Sequence, residues 1–153
     1  MKAKTSLLSF NELSSHQLYQ ILKLRSEVFV VEQESIYLDP DGDDTRAWHV
    51  LVEGDQDGQQ EMIGTLRLLK DGTQAKIGRV AVARNGRGSG LGKMMMLRGL
   101  HWCDEQPELQ SVYLSAQLEQ QSFYEKLGFV RQPGDAYDDG GIPHCDMVRK
   151  LRT

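Results

Sequence analysis

The chain has 153 residues, a size that suits one ordinary domain whose core can stand without disulfides or metal. Eighteen Lys and Arg against 22 Asp and Glu leave a net charge of −4, which speaks against a general nucleic-acid binder. With 39% hydrophobic and 26% charged residues, and no apolar run near the ~20 residues of a membrane span, neither a disordered chain nor a membrane-spanning one is expected.

The basic start Met1-Lys2-Ala3-Lys4 lacks the apolar stretch that makes a signal peptide. The two cysteines, Cys103 and Cys145, make no disulfide framework, so a reduced, cytoplasmic setting is expected. Residues 14–29 are predicted helical. Ser14 and Gln17 form an S-x-x-Q capping box, and Leu18, Ile21, Leu22, Val28 and Phe29 recur at helical spacing. An acidic, turn-rich segment follows at 32–46. Strands are predicted at 48–53, 62–69 and about 75–83, with Asp71-Gly72 as a hairpin turn between the last two.

Past residue 85 the pattern changes. A glycine-rich stretch leads into a helix carrying Leu91, Met94, Met95, Leu97, Leu100 and Trp102, which stops before Pro107. A short strand is predicted at 111–116 and a helix at 119–127, with Gly128 just past its end. Residues 129–131 and 147–151 are the last strand candidates. A meander followed by strand–helix–strand–helix–strand predicts one domain over 1–153, an α+β (mixed α/β) layered sheet.

The stretch Val80 to Lys93 carries the chemistry. A strand running through glycines into a helix turns successive N–H groups toward one point, where the helix N-terminus adds positive potential, a geometry suited to phosphate or pyrophosphate. Every frame of G-x-G-x-x-G fails here. So does the Walker A loop, because Arg87 and Met94 stand where it needs Gly and Ser or Thr. What remains is Arg87-x-x-Gly90-x-Gly92.

That pattern resembles the pyrophosphate loop, [Q/R]-x-x-G-x-[G/A], of the GNAT superfamily of acetyl-CoA-dependent N-acetyltransferases. About thirty residues on, Phe123-Tyr124-Glu125-Lys126-Leu127-Gly128-Phe129 resembles the family's second CoA-contacting motif. The resemblance implies a mostly antiparallel twisted sheet with a splayed strand pair and helices on both faces. It also implies acetyl-CoA as cofactor. Backbone groups of Val80, Ala81 and Val82 would then meet pantetheine. The amides of Arg87, Gly88, Ser89, Gly90, Leu91, Gly92 and Lys93 would hold pyrophosphate. Gln117 stands where many relatives carry Asn against pantetheine. Tyr124 matches the tyrosine that protonates the leaving thiolate, a fitting task for a phenol of pKa ~10 beside a thiol of ~8.5.

An amine must lose a proton to attack the thioester. Several relatives use a Glu at the start of the strand before the loop, but Lys76 stands at that place here. Candidate bases are Glu32 and His144, an imidazole being well matched to the task. His49 ranks lower. Six carboxylates lie between Glu32 and Asp44 with no Lys or Arg among them, so Glu32, Asp39 and Asp41 are expected to form an acidic acceptor wall that attracts a cationic amine. Calcium is disfavoured, since Asp44 and Val50 occupy the glycine and final glutamate positions of an EF-hand. A zinc site from His101, Cys103, His144 and Cys145 lacks ligand spacing, and no metal is expected. The groups Val28 to Gln33, Tyr37 to Asp44 and Gly140 to His144 resemble the ElaA-like branch of the superfamily.

These expectations define an acetyltransferase acting on a primary amine, small molecule or peptide, by direct attack. No nucleic-acid or membrane partner is expected, and a homodimer is allowed for. Two alternatives remain. One is an acyl-homoserine-lactone-synthase-like enzyme, suggested by Arg25-x-x-Val28-Phe29 and the later aspartates. The other is a non-catalytic CoA-binding module, suggested by Lys76.

Overall fold

The structure, a computed structural model, describes residues 2–152. Strands β1 (Lys2–Ser9), β2 (Trp48–Gln56), β3 (Gln59–Asp71), β4 (Gln74–Val82), β5 (Ser111–Gln117), β6 (Val130–Arg131), β7 (Tyr137–Asp139) and β8 (Ile142–Lys150) form one sheet. Its order is β1-β2-β3-β4-β5-β8-β6, with β7 also on β8. Every pairing is antiparallel except β4 with β5. Helices α1 (Ser15–Arg25), α2 (Leu91–Asp104) and α3 (Gln121–Glu125) complete the layers.

The core divides between the two faces of the sheet. On one, Met95, Met96, Leu100 and Trp102 of α2 and Tyr124 of α3 pack on Val50, Leu66, Leu68 and Ile77. On the other, Ile21 and Leu24 of α1, with Val28, pack on Leu51, Met62 and Ala81. β3 lies between both layers, which is why Met62 to Leu69 is buried without alternation, Thr65 and Arg67 included.

The capping box forms as its spacing predicts, with Gln17 N donating to Ser14 Oγ and Ser14 N to Gln17 Oε1. The helix, however, ends at Arg25 and opens into a π-helical turn over Ser26–Glu32. β-branched Val28, Val30 and Val31 crowd an α-helical turn, and the wider turn buries Val28 while carrying Glu32 toward the glycine loop.

Two strands had no counterpart in the sequence reading. β1 is an edge strand whose lysines and mixed pattern hide it, and β7 is three exposed residues. β8 begins five residues before the predicted 147. Gly140 and Gly141 sit at φ 63° and 85° and turn the β7–β8 hairpin. Pro143 disguised this strand, yet it costs β5 nothing, because the β5–β8 ladder ends at Gln117 and His144.

Candidate active site

Pairing between β4 and β5 stops after three residues, Gln74 with Ser111, Ala75 with Val112 and Lys76 with Tyr113. Beyond that point the two strands part and a cleft of about 590 Å³ opens between them. Val80 and Val82 line one side, Gln117 and His144 the other, with Phe123 and Tyr124 of α3 at its flank and Arg87 and Gly92 at its wide end. Val28, which also lines the cleft, and His144 thus share one space although 116 positions apart in the sequence. A larger groove of about 730 Å³ lies between α1 and the segment after β4, and of the expected site residues only Glu32 reaches it.

The wide end is built for an anion. A 3-10 turn over Arg84–Gly86 follows β4, then Gly88 and Gly90 take φ of 80° and 81°, a region open to glycine. A Cβ on either would meet nothing within 4 Å, so here glycine serves the backbone path and leaves the space above it clear. Gly90 caps α2, and Met94 N is the first amide bonded back to it. The amides of Leu91, Gly92 and Lys93 are therefore first-turn donors without intrahelical acceptors. Lys93 itself is exposed, and Ser89 Oγ closes the loop on Gly86 O at 2.6 Å.

Backbone groups of a strand face alternate sides. Ala83 N donates to Ile63 O on β3, so the groups of Ala81 also face β3, while those of Val80 and Val82 face the cleft. Ala81 does not face the cleft; its side chain is buried against α1. The Val82 carbonyl already accepts from Arg87 Nε and Nη2 at 3.1 and 3.0 Å.

Tyr124 is nearly buried between Phe123 and Phe129, and that burial pushes its phenol up to about 12, further from a thiol than the ordinary value. His144 is placed on β8 beside Gln117. Its Nδ1 donates to Ile142 O at 2.7 Å, so the neutral ring carries its lone pair on Nε2. Gln117 Nε2 reaches Gln33 Oε1 on the segment after the π turn.

The acidic wall does not form. Glu32 is gripped by Arg87 at 2.6 and 2.9 Å and by Arg84 at 3.3 Å, and hydrogen bonds from Arg87 hold its carboxyl below the usual range. It stands at the wide end of the cleft, beside the glycine loop, with its charge occupied by arginines. Asp39 is 3% exposed and pairs with Arg25 and Arg79. Asp41 pairs with Arg67 and Arg79, Asp44 with Arg25 and Arg67, and Asp43 with Arg46. Counting charges within 32–44 missed Arg25, Arg67, Arg79, Arg84 and Arg87 because they come from other elements, and Arg46 because it lies two residues past the window. The expectation of a cationic acceptor loses its basis with them.

Other candidates also resolve. His49 is buried, with Nε2 donating to Asp44 O at 3.0 Å, far from any open cleft. Cys103 and Cys145 are free thiols in the core, and burial pushes Cys103 up to about 12. Cys145 faces the opposite side of β8 from His144, so no Cys–His pair forms. Among the described residues no group of three or more His, Cys, Asp or Glu is placed to hold a metal. No helix there is long and apolar enough to cross a membrane.

Comparison with known proteins decides the family. The acetyltransferase (GNAT) domain matches residues 46–151. The chain belongs to the GNAT family. Within it the chain is similar to protein ElaA of Escherichia coli, 37% identical over 147 residues and 94% of each chain. The crystal structure of that ElaA superposes with a TM-score of 0.86 over 97% of this chain and 99% of its own. An acyl-CoA N-acyltransferase from Pseudomonas aeruginosa gives the same TM-score at 35% identity, covering 97% of this chain and 99% of its own. The acyl-homoserine-lactone synthase LasI shares the fold, with a TM-score of 0.79 at 15% identity over 99% and 91% of the two chains. As a GNAT protein the chain is an acyltransferase with an α+β sheet and helices on both faces. Sequence reasoning missed Arg67 and Arg79, and it singled out Arg25 and Tyr37 only as parts of resemblances: the three arginines pair with the aspartates of the acidic segment, and the Tyr37 ring lies under Arg79 at the cleft.

Proposed function

We propose that the protein transfers an acetyl group from acetyl-CoA to a primary amine by direct attack. The observation that carries this is the parting of β4 and β5 into a cleft running from the first-turn amides of α2 to His144. Pyrophosphate would rest on the amides from Gly88 to Lys93, with Arg87 exchanging Glu32 for phosphate oxygens. Pantetheine would pair with Val80 and the Val82 N–H, and Gln117 would offer its amide. The amine nitrogen bonds to the thioester carbon, its proton passes to His144 Nε2, and the C–S bond breaks with Tyr124 donating a hydrogen bond to the departing sulfur. His144 takes the base role in preference to Glu32, which keeps its pairing with Arg84 at the loop end of the cleft when Arg87 turns to phosphate. Two free, buried thiols suit a reducing cytoplasm, and the sheet running from β1 to β8 suits one domain.

Calorimetric titration with acetyl-CoA tests the reading, together with thiol release over a panel of primary amines. Wild type should bind and release thiol above the hydrolysis background. Gly90→Glu should not bind, because it puts a carboxylate where the pyrophosphate sits. Undiminished binding by that variant overturns the loop assignment. Release with S-adenosylmethionine alone would move the reading to the lactone-synthase alternative, and binding with no release would favour a CoA-binding module.

A further inference from the structure

Between the acidic segment and β4 lies a partly buried ionic cluster, with Arg25, Asp39, Asp44 and Arg67 inside and Asp41 at its exposed edge, that the proposed reaction does not use. Arg25 ends α1, Arg67 is on β3, and Arg79 is on β4; they face Asp39, Asp41 and Asp44, three cations against three anions. Arg25 holds Asp39 at 2.8 Å and Asp44 at 2.7 Å, and Arg67 holds Asp41 at 2.7 Å and Asp44 at 3.1 Å. Arg79 Nη2 donates to the Asp39 carbonyl at 3.1 Å and to Asp41 Oδ2 at 3.2 Å. Its Nε lies 2.9 Å from Asp39 Oδ1, out of line for a hydrogen bond.

Arg79 has a φ of 51°, a left-handed backbone that a non-glycine residue avoids. It also sits where the β3–β4 ladder shifts. Arg67 pairs with Gly78 and Thr65 with Ala81, so Arg79 and Val80 together oppose Leu66 as a bulge. The extra residue reverses the alternation beyond it. With the bulge, Val80 and Val82 turn their backbone groups to the cleft. Without it they would turn to β3 and Ala81 would face the cleft instead.

We propose that Arg79 is a positioning residue, whose contacts with Asp39 and Asp41 hold the left-handed bulge of β4 and so select the backbone groups presented to the cofactor. The proposal rests on the acetyl-CoA reading above. Glycine would adopt this φ unaided. Arginine adopts it under constraint and in return ties the bulge to the segment that carries Tyr37, whose ring centroid is 5.4 Å from the guanidinium.

Two substitutions separate this role from plain stabilisation. Arg79→Ala removes the contacts and keeps the backbone penalty, whereas Arg79→Gly removes both. Acetyl-CoA affinity by calorimetry should weaken by about tenfold or more in the Ala variant and stay within about threefold of wild type in the Gly variant. Both are read well below their melting temperatures, with Asp43→Asn, an exposed pair to Arg46, as an unchanged control. If the Ala variant does not fold, Asp41→Asn takes its place and should regain affinity when combined with Arg79→Gly. Wild-type affinity in the Ala variant overturns the proposal, as does a Gly variant as weak as Ala, which would assign Arg79's effect to its charge. Failure of wild type itself to bind acetyl-CoA overturns the cofactor reading and this inference with it.

Discussion

Tyr124 shows how burial alters a role that spacing suggests. The F-Y-E-K-L-G-F motif places the phenol, and packing against Phe123 at 5.1 Å and Phe129 at 6.0 Å pushes its pKa up to about 12. Handing a proton outright to a thiolate whose conjugate acid titrates near ~8.5 would then be uphill, so the role proposed for the phenol is a hydrogen bond to the leaving sulfur. Tyr124→Phe keeps the ring and should lower kcat about tenfold, the modest end for a positioned donor, with KM for acetyl-CoA unchanged. Because the phenol stays protonated, the wild-type rate should show no loss near pH 10 that the Phe variant lacks. A kcat within twofold of wild type, at chemistry-limited rates, reduces Tyr124 to packing. His144 offers a contrast. It lies ahead of the strand predicted at 147–151, while pairing with Gln117 places it in a strand wall and the Ile142 carbonyl sets its tautomer.

At the scale of elements, the seating of α2 on the sheet controls where its first-turn amides stand. Gly64 on β3 lies under that helix. A Cβ there would come 2.5 Å from Met95 Sδ and 3.3 Å from Leu91 Cδ2, and Met95 is fully buried with no room to retreat. Gly64→Ala should destabilise by about 1–3 kcal/mol, a fall in Tm of several degrees, and should weaken acetyl-CoA binding because Leu91 opens the helix. Gly99, inside the same helix, differs. A Cβ there meets Leu68 Cδ2 at 3.5 Å, an ordinary contact, and alanine is the better helix former by about 1 kcal/mol. Gly99→Ala should leave Tm unchanged or raised. Equal losses at both glycines would show that close approach at Gly64 is not what seats α2.

For the whole molecule, the buried charges link stability to pH in two steps. Burial lowers His49 below its ordinary value of ~6.5, and the ring sits by Arg25 and Arg67 with Nδ1 unpaired. The unfolded chain therefore binds this proton first. Stability is intact above about pH 6.5 and declines as pH falls toward the folded value. A second loss comes from carboxyls lowered in the fold. Hydrogen bonds from Arg67 lower Asp41. Burial acts to raise Asp44, but Arg25 and Arg67 outweigh it. Their contribution is present above the unfolded ~3.9 and lost as pH falls through the folded values. Urea midpoints from pH 8 to 3 should fall in both windows, and His49→Gln, which keeps a donor for the Asp44 carbonyl, should flatten only the first. A midpoint constant from pH 8 to 5 in wild type would place the first step elsewhere.

What the sequence determined by itself is what lies within about ten residues. The Ser14–Gln17 box, the Asp71-Gly72 hairpin, the Arg87-x-x-Gly90-x-Gly92 loop opening a helix and the Tyr124 motif each encode their geometry through local sterics and hydrogen bonding, which operate without the rest of the chain. Tertiary structure decided the partners of charge. Glu32 meets Arg87 across 55 positions and Arg25 meets Asp39 and Asp44 across 14 and 19, so carboxylates that read as a substrate wall are held in ion pairs with arginines of other elements. It decided the bulge as well. An arginine at φ 51° has no local signature, because the backbone disfavours it and only carboxylates delivered by another segment hold it there.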